Sequence, residues 1–310
     1  MSPTVVILLS DKRSGSTMFQ DEICKHPDIQ TVDYSPHTYL ETHHWLKASV
    51  ILSRPAKRDK GGPLYKGYGS RDNARAYLVD CIQKNVPEFK IPSNDKELVF
   101  KGWEALCAKY AKPIFFEKSP QYLGFPASLD LLFEWAQTNT YTVKFIGLTR
   151  NPLSVQYSAW KLFHRNPNDR QFGWMELQQE MLDFETRVGP EQFLHVKYED
   201  IIDQPNATFS QICNFIGVEP KASIGSTVHK KSLTKWKEDP YFTASLDESV
   251  KTMARRFGYS DDDLDNPEKP EPPIIWKLRK KLEALYKLGR ARLKDRLLKP
   301  LIIRLKNQKK

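Results

Sequence analysis

The feature that most constrains the fold is a continuous β-branched and aliphatic run, Thr4–Leu9, followed at once by a polar loop, Asp11–Thr17. A run without alternation is typical of a strand buried on both faces. The loop contains Gly15, and apolar residues at helical spacing follow it. The start of the chain therefore predicts a strand, a tight turn and a helix, the building unit of a parallel sheet.

The same pattern recurs twice more along the chain. Thr142–Leu148 and Phe193–Val196 predict two further buried strands, and Asn151-Pro152 supplies a capping residue and a proline at the start of a helix. Weaker candidate strands are Leu98–Lys101 and Pro113–Phe116. The alternation predicts an α/β fold with a central parallel sheet covered by helices on both faces.

Charged residues are distributed unevenly along the chain. The formal net charge is +10, but residues 274–310 contain 14 Lys and Arg against two acidic residues, which leaves 34 basic and 36 acidic residues for the rest. A near-neutral body gives no indication of nucleic-acid binding. We predict a domain over residues 1–260, an acidic proline-rich linker over 261–273, and a basic amphipathic helical tail over 274–310. Residues 53–72, rich in Gly, Pro, Lys and Arg, are interpreted as a loop or lid.

Several classes of protein are excluded or disfavoured. The four cysteines, Cys24, Cys81, Cys107 and Cys213, have no CxxC spacing, which favours reduced thiols over a zinc site. No apolar run approaches the roughly 20 residues that span a bilayer, and no signal peptide is apparent. The sequence therefore predicts a soluble, cytoplasmic protein without a metal.

The loop after the first strand has the composition of a phosphate-binding loop. In Lys12-Arg13-Ser14-Gly15-Ser16-Thr17, Gly15 permits a tight turn, and the backbone amides of Ser14–Met18 would point to the helix N-terminus. Arg13 adds a charged donor, while Ser16 and Thr17 add hydroxyls. The loop matches a Walker A motif poorly, since no Lys follows Gly15. An ordinary turn built from Ser, Gly and Thr is the alternative.

At this loop the chain resembles the sulfotransferases that use 3′-phosphoadenylyl sulfate (PAPS). The pattern [KR]-[ST]-G-[ST]-[ST] after the first strand is similar to their 5′-phosphosulfate loop. Arg150, at the end of a predicted strand, with Ser158 eight residues later, resembles their 3′-phosphate motif. A guanidinium there can hold phosphate through two parallel hydrogen bonds. The resemblance implies a fold like that of P-loop-containing nucleotide hydrolases.

Two further segments resemble the carbohydrate-modifying, heparan-type branch of that family. Glu41 stands where such enzymes carry a catalytic base, while His43 and His44 are the alternative bases because other members use a histidine. Glu117-Lys118-Ser119-Pro120 resembles an E-K-[ST]-P element whose lysine reaches the cleft, and a surface ion pair is the alternative. Lys118 could stabilise negative charge on the transferring group.

Later residues extend the resemblance to the adenine and the 3′-phosphate. Tyr198-Glu199-Asp200 is similar to a Tyr-Glu-Asp element whose tyrosine contacts the adenine. His229 to Trp236 resembles the loop that closes over the 3′-phosphate, with Lys230 and Trp236 matching its spacing. His229 replaces an Arg and Lys231 replaces a Gly, so only part of the family pattern is present in this loop.

The resemblance implies transfer of a sulfuryl group from PAPS to a hydroxyl or amine, and it favours a saccharide or glycolipid acceptor. A tyrosine or small phenol is also open. One rival is a nucleotide-dependent phosphotransferase, which would need the absent Walker A lysine. The other is a non-catalytic, membrane-attached protein that binds polyanions.

The pattern of the basic tail, residues 274–310, predicts a membrane-binding helix. Leucines and isoleucines from Ile275 to Leu301 recur at three- or four-residue steps, and Trp276 lies among basic residues. Such a helix can lie in the headgroup region of an anionic membrane. We therefore expect peripheral attachment to the cytoplasmic membrane face, with a partner-binding or oligomerising helix as the alternative.

Overall fold

In the described part of the chain, five strands form one sheet in which every neighbouring pair is parallel. The computed structural model describes residues 3–54, 69–163, 167–228, 233–270 and 273–293. The strands are β1 (Thr4–Ser10), β2 (Ile29–Gln30), β3 (Ile114–Lys118), β4 (Thr142–Thr149) and β5 (Phe193–Lys197). Their order is β2–β3–β1–β4–β5. The predicted α/β fold with a central parallel sheet is confirmed.

Strand β1 lies at the centre of the sheet, between β3 and β4. All its residues are buried. Val5, Ile7 and Leu9 pack into one hydrophobic core, whereas Val6 and Leu8 pack into another. Successive side chains of a strand point to opposite faces, so burial on both faces explains why this sequence is continuously apolar.

Helices cover the sheet and follow the carboxyl ends of its strands. They are α1 (Ser16–Ile23), α2 (His44–Ile51), α3 (Arg71–Asn85), α4 (Asp95–Tyr110), α5 (Pro126–Thr138), α6 (Pro152–Phe163), α7 (Pro167–Val188), α8 (Tyr198–Asp203), α9 (Pro205–Ile216), α10 (Lys235–Glu238), α11 (Glu248–Arg255), α12 (Asp261–Leu264) and α13 (Ile274–Leu293), with a 3₁₀ turn at Tyr122–Gly124. The loops after β1, β3 and β4 therefore open at one edge of the sheet, where parallel α/β folds bind ligands.

The candidate strand Leu98–Lys101 belongs instead to helix α4, so that prediction was wrong. The Asn94 side chain accepts a hydrogen bond from the backbone N–H of Glu97 and caps this helix. Its buried residues recur at the three- and four-residue steps of one helix face; they are Leu98, Val99, Gly102, Trp103, Leu106, Cys107 and Tyr110. A short apolar run does not by itself distinguish a strand from a buried helical turn.

The stretch interpreted as a linker contains ordered structure. Ser260 forms a capping box with Asp263 at the start of α12, and Leu264 is buried. Further along, Lys269 Nζ donates to the carbonyls of Trp236 and Asp239. The part of this stretch up to Lys269 therefore packs against the α/β body.

Helix α13 contacts the body through the ring of Trp276 and exposes several apolar side chains. The Trp276 ring centroid lies 5.9 Å from that of Trp160 and 4.7 Å from that of Tyr241. Six apolar side chains are more than half exposed, namely Ile274, Ile275, Leu278, Leu282, Leu285 and Tyr286. None of the helices in the described ranges has the length and apolar character needed to cross a bilayer. Residues 294–310 of the predicted tail, and residues 55–68 of the predicted lid, lie outside the described residues.

Candidate functional site

The loop between β1 and α1 turns at two residues with left-handed backbone. Arg13 has φ of +76° and Gly15 has φ of +94°. A positive φ is uncommon for any residue with a Cβ. The backbone N–H of Ser14 donates to the carbonyl of Asp11 at 3.2 Å, which closes the turn. The chain therefore passes directly from the carboxyl edge of the sheet into the N-terminus of α1.

Helix α1 directs several backbone N–H groups back toward this turn. The first helical hydrogen bond is donated by Phe19 to the carbonyl of Gly15, at 3.0 Å. The preceding amides, Ser16–Met18, are the ones a helix leaves without helical acceptors, and they suit an anion. The Ser14 amide, which the sequence analysis grouped with them, is bonded within the turn instead.

Two arginines and a serine from three elements meet at this loop. Arg150, directly after β4, donates from Nη1 to the carbonyl of Arg13 at 3.0 Å. Arg13 donates from Nε to Ser158 Oγ at 3.0 Å, and Ser158 lies on α6. Arg150 is buried while Arg13 is exposed. The structure thus brings together the predicted donor-site residues of two distant segments, and their charge suits phosphate or sulfate.

Tyr198, the first residue of α8, packs against both Arg150 and Gly15. Its ring centroid lies 4.3 Å from Arg150 Cζ. A Cβ added at Gly15 would lie 2.3 Å from the same ring. Position 15 therefore requires glycine for its backbone angle and for the close approach of Tyr198. A contact of Tyr198 with adenine stays a prediction.

Two serine hydroxyls of this region are buried without a hydrogen-bond partner in the described part of the chain. They belong to Ser10, at the end of β1, and Ser14, in the turn. Buried hydroxyls normally have partners. Together with the arginines and the amides of α1, they fit a ligand that carries phosphate groups.

Glu41, just before α2, is the centre of a second cluster. Its Oε1 lies 3.1 Å from Lys118 Nζ, and its Oε2 lies 3.0 Å from His43 Nε2. His37 Nδ1 lies 3.3 Å from the same Oε2, and Gln121 Nε2 donates to it at 3.3 Å. Burial alone would raise the pKa of Glu41, but the hydrogen bond from His43 and the charge and hydrogen bond of Lys118 outweigh it and lower the pKa to about 2. Glu41 is therefore an ionised carboxylate.

Glu117 holds the segment that carries Glu41. Thr42 Oγ1 and Ser119 Oγ donate to Glu117 Oε1 at 2.7 and 2.6 Å. The backbone N–H of His43 donates to Ser119 Oγ at 3.0 Å. Leu40 and His43 both have left-handed backbone, with φ of +54° and +49°. Such conformations persist where surrounding bonds over-determine them, and the bonds at Glu117 serve that purpose.

Lys118 connects the Glu41 cluster to the loop Asp11–Thr17, the predicted donor loop. Its side chain is fully buried, and its Nζ lies 3.4 Å from Thr17 Oγ1 as well as near Glu41. Because Glu117 is also fully buried, the two residues do not form the surface ion pair that the sequence left open. The carboxylate and the loop therefore face one another across a single ammonium group.

His44, the third candidate base, lies elsewhere. Its Nε2 bonds to the carbonyl of Val99 at 2.9 Å, and its ring packs between Trp45 and Trp103. Complete burial lowers the pKa of His44 to about 4. The structure thus makes His44 a core residue of α2.

The late loop is described only in part. Lys230 and Lys231, with His229, lie outside the described residues. Trp236 is buried in a hydrophobic cluster with Phe242. The structure therefore presents Trp236 as an anchor for the end of this loop.

A cavity of about 320 Å³ opens beside the donor loop. Its polar lining comprises Asp11, Lys12, Arg13, Gln121 and Arg170. Arg170 forms two 2.5 Å hydrogen bonds to the carboxylate of Asp11. Because Gln121 also bonds Glu41, the cavity adjoins both the loop and the carboxylate cluster.

Sequence reasoning missed several residues of this site. Asp11 and Arg170 form its buried ion pair, His37 and Gln121 contact Glu41, and Tyr77 donates to the Glu41 carbonyl. Asp11 could have been noticed as an acidic residue directly after the first strand. His37 lies only four residues before Glu41, whereas Tyr77, Gln121 and Arg170 come from distant parts of the chain, where no local pattern marks them.

A family model described as "Sulfotransferase family" matches residues 3–222 of the chain. The sulfotransferase domain of the Synechococcus PCC 7002 olefin synthase is 19% identical and superposes with a TM-score of 0.55, covering 83% of this chain and 95% of that domain. The sulfotransferase domain of the curacin biosynthetic pathway is 21% identical, also with a TM-score of 0.55, and covers 83% of this chain and 98% of that domain. No curated protein matches the sequence.

Proposed function

The chain belongs to the sulfotransferase family and is a sulfotransferase, and from this premise we propose that its donor is PAPS and its acceptor a hydroxyl or amine of a saccharide or glycolipid. The observation that carries the proposal is the position of Lys118 between Thr17 of the donor loop and Glu41. The buried ammonium group of Lys118 therefore adjoins both a loop suited to phosphate binding and a carboxylate.

On the donor side, the proposal assigns the 5′-phosphosulfate to Arg13 and the amides at the start of α1. Arg150 and Ser158 would hold the 3′-phosphate. The bonds that link Arg13 to Ser158 and to Arg150 support this assignment, because they keep both guanidinium groups at one sheet edge. Lys230 and Lys231 would complete the 3′-phosphate site, with Trp236 as the anchor of their loop, and Tyr198 would contact the adenine.

In the transfer step, the acceptor oxygen forms a bond to sulfur while the bond from sulfur to the phosphate oxygen breaks. The products are the sulfated acceptor and adenosine 3′,5′-bisphosphate. The acceptor's proton passes to Glu41, which His43 orients through its 3.0 Å hydrogen bond. As in phosphoryl transfer, positioning and charge stabilisation supply most of the catalysis.

A movement of Lys118 would allow Glu41, whose pKa is low, to act as a base. While Lys118 bonds Glu41, it favours the ionised carboxylate and makes it a weak proton acceptor. In the proposed mechanism, Lys118 turns from Glu41 to the negative charge on the transferring group. The same movement stabilises the transition state and raises the proton affinity of Glu41.

The donor assignment is tested by calorimetric titration of the full chain with adenosine 3′,5′-bisphosphate and, separately, with ATP and Mg²⁺. We expect saturable binding of the bisphosphate and much weaker binding of ATP. Preference for ATP and Mg²⁺ would support the rival phosphotransferase instead.

The cavity beside Arg13 and Gln121 supports a polar acceptor. Its charged and amide groups can hydrogen-bond the hydroxyls of a sugar, while Pro120, Phe125, Ala159 and Leu177 line the rest of the cavity and can pack against the apolar face of the sugar ring. Incubation with ³⁵S-labelled PAPS and a panel of saccharides, glycolipids, tyrosine peptides and phenols tests this choice. Label on phenols or tyrosine alone would contradict it.

The proposal also includes attachment to the cytoplasmic face of an anionic membrane through α13. At about 100° per residue, its six exposed apolar side chains span about 120° of the helix surface, and Trp276 lies on another side. The apolar stripe therefore faces away from the contact with Trp160. Fourteen Lys and Arg in residues 274–310 add attraction to anionic headgroups.

Flotation with liposomes tests the attachment. The full chain should float with anionic vesicles at low salt and less at high salt, and it should bind neutral vesicles poorly. A chain that ends after Lys269 keeps the contacts of Leu264 and Lys269 and should stay in the soluble fraction. Equal partitioning of the two proteins would rule out the membrane role.

A further inference from the structure

Two histidines and one carboxylate converge on one point in front of α2. His37 Nδ1 lies 3.3 Å, and His43 Nε2 3.0 Å, from Glu41 Oε2. The three atoms all lie within 4.8 Å of one another. Glu41 and His43 are buried, and His37 is half-buried at the mouth of the group.

Two of these separations are close to the edge of a tetrahedral metal site. Zinc binds histidine nitrogen and carboxylate oxygen at roughly 2.0–2.2 Å, so neighbouring ligand atoms lie about 3.4 Å apart. The two distances to Glu41 Oε2 are close to that value. His37 Nδ1 is buried, and its 3.3 Å contact with Glu41 Oε2 is not a hydrogen bond in the part of the chain that the structure describes. An ion held between these two atoms would use the lone pair of Nδ1.

The backbone that carries the ligands is held in place by bonds that a metal would leave intact. Ser35 Oγ accepts from the N–H of His37 and donates to the carbonyl of Glu41, to which Tyr77 also donates. Ser119 Oγ accepts from the N–H of His43. Supporting bonds of this kind orient ligands and strengthen metal binding.

We propose that His37, Glu41 and His43 bind a divalent transition-metal ion of the zinc type, with a fourth position open to water. Two histidines and one glutamate are a ligand set that zinc uses in open sites. Lys118 bonds Oε1 of the carboxylate. Oε2 accepts a hydrogen bond from Gln121 Nε2 at 3.3 Å, and the ion would take the other lone pair of that oxygen. The sequence predicts no metal, because a metal site near Glu41 is possible but no His, Cys or carboxylate elsewhere supports it by its spacing. The inference goes beyond the proposed function and does not depend on it.

A bound ion would have a direct consequence for the transfer step. It would use the lone pairs of Glu41 Oε2 and His43 Nε2, and so withdraw the proposed base and its orienting partner. The ion would therefore inhibit transfer while the donor loop, which contributes no ligand, keeps its affinity for adenosine 3′,5′-bisphosphate.

The test is titration of the untagged full chain with Co²⁺, followed through the visible absorption of tetrahedral cobalt and reversed by Zn²⁺. We expect one ion per chain, and His37→Ala and His43→Ala should each weaken binding by about tenfold or more. His195→Ala is the matched control, since His195 also contacts a carboxylate, Glu185, at 2.7 Å, and neither belongs to the group at Glu41.

Circular dichroism and thermal unfolding of each variant verify that it is folded. Because His37 is only half-buried, its variant should keep the fold even where His43→Ala does not. The site is wrong if no tetrahedral absorption develops, or if His37→Ala binds Co²⁺ as tightly as the His195→Ala control.

Discussion

Lys118 Nζ lies 3.1 Å from Glu41 Oε1, and the two side chains are 0% and 7% exposed. The pair joins strand β3 to the segment before α2, which are 77 residues apart in the chain. Removal of one partner from a buried pair leaves an uncompensated charge in a poor solvent. This contact therefore bears on stability as well as on the proposed transfer step.

Lys118→Met should lower the free energy of unfolding by about 3–5 kcal/mol, because it leaves the Glu41 carboxylate buried without its cation. Lys101→Met is the matched control, since Lys101 pairs with Glu97 at 2.9 Å with both side chains exposed. An exposed pair contributes about 0–1 kcal/mol. Urea unfolding of both variants measures the difference, and equal losses would contradict a buried, energetically coupled pair.

Glu41→Gln should reduce turnover by about 10²–10⁴-fold, because it removes the base and keeps the shape of the side chain. Affinity for adenosine 3′,5′-bisphosphate should not change, since Glu41 lies on the acceptor side of Lys118. Transfer from labelled PAPS gives the rate, and calorimetry gives the affinity. If Glu41→Gln keeps most of its activity while His43→Asn loses it, the base is His43.

Arg150→Ala should weaken binding of the bisphosphate by about tenfold or more, since a charge-assisted hydrogen bond contributes about 1.5–3 kcal/mol. Arg187→Ala, which removes a guanidinium paired with Asp130 on another face, should bind as the wild type does. Isothermal titration calorimetry compares the two. Unchanged affinity in Arg150→Ala would remove this residue from the donor site.

Gly15→Ala should destabilise the protein more than Gly217→Ala does. Both positions have left-handed backbone, with φ of +94° and +83°, and each should lose about 1–2 kcal/mol from backbone strain. At Gly15 the new Cβ would meet the Tyr198 ring, whereas at Gly217 no atom of the described residues lies within 4 Å of the new Cβ.

Displacement of Tyr198 should also move Arg150, so Gly15→Ala should lose bisphosphate affinity and Gly217→Ala should keep it. Thermal unfolding and calorimetry test both expectations. Equal effects at the two glycines would show that the packing of Tyr198 does not matter.

Glu117 should make stability depend on pH. Burial raises its pKa from 4.5 to about 6, against the lowering effect of the hydrogen bonds from Ser119 and Thr42. A carboxyl with a raised folded-state pKa stabilises the fold below pH 4.5, and this contribution is lost as pH rises through 6. The loss corresponds to about 2 kcal/mol.

The measurement is the free energy of unfolding of wild type and Glu117→Gln between pH 4.5 and 7.5. The amide does not titrate, so the wild type should lose about 2 kcal/mol more than the variant over this range. Other titrating groups cancel in the comparison. Parallel pH profiles would show that Glu117 does not titrate with a raised pKa.

The central strands and the donor loop could be predicted from the sequence because their signals are local. Three apolar runs predict β1, β4 and β5, and the predicted ends of each strand lie within one residue of the observed ends. Gly15 follows β1, and Arg150 and Ser158 follow β4, at short sequence separations. The two-residue strand β2 is not predicted, and Leu98–Lys101 is wrongly predicted as a strand. Runs of two to four residues are too short to show whether apolar residues repeat at the spacing of a strand or of a helix.

The Glu41 cluster was decided by the tertiary structure. The sequence determined that Glu41, His43 and Lys118 were candidates, but their burial and their shared contacts depend on how β3 and the segment before α2 meet. His44 illustrates the limit, since it adjoins His43 in the chain and packs against Trp103 in the core. Local patterns determine which elements form, whereas the charge state of a carboxylate depends on the solvent exclusion and the partners that only packing supplies.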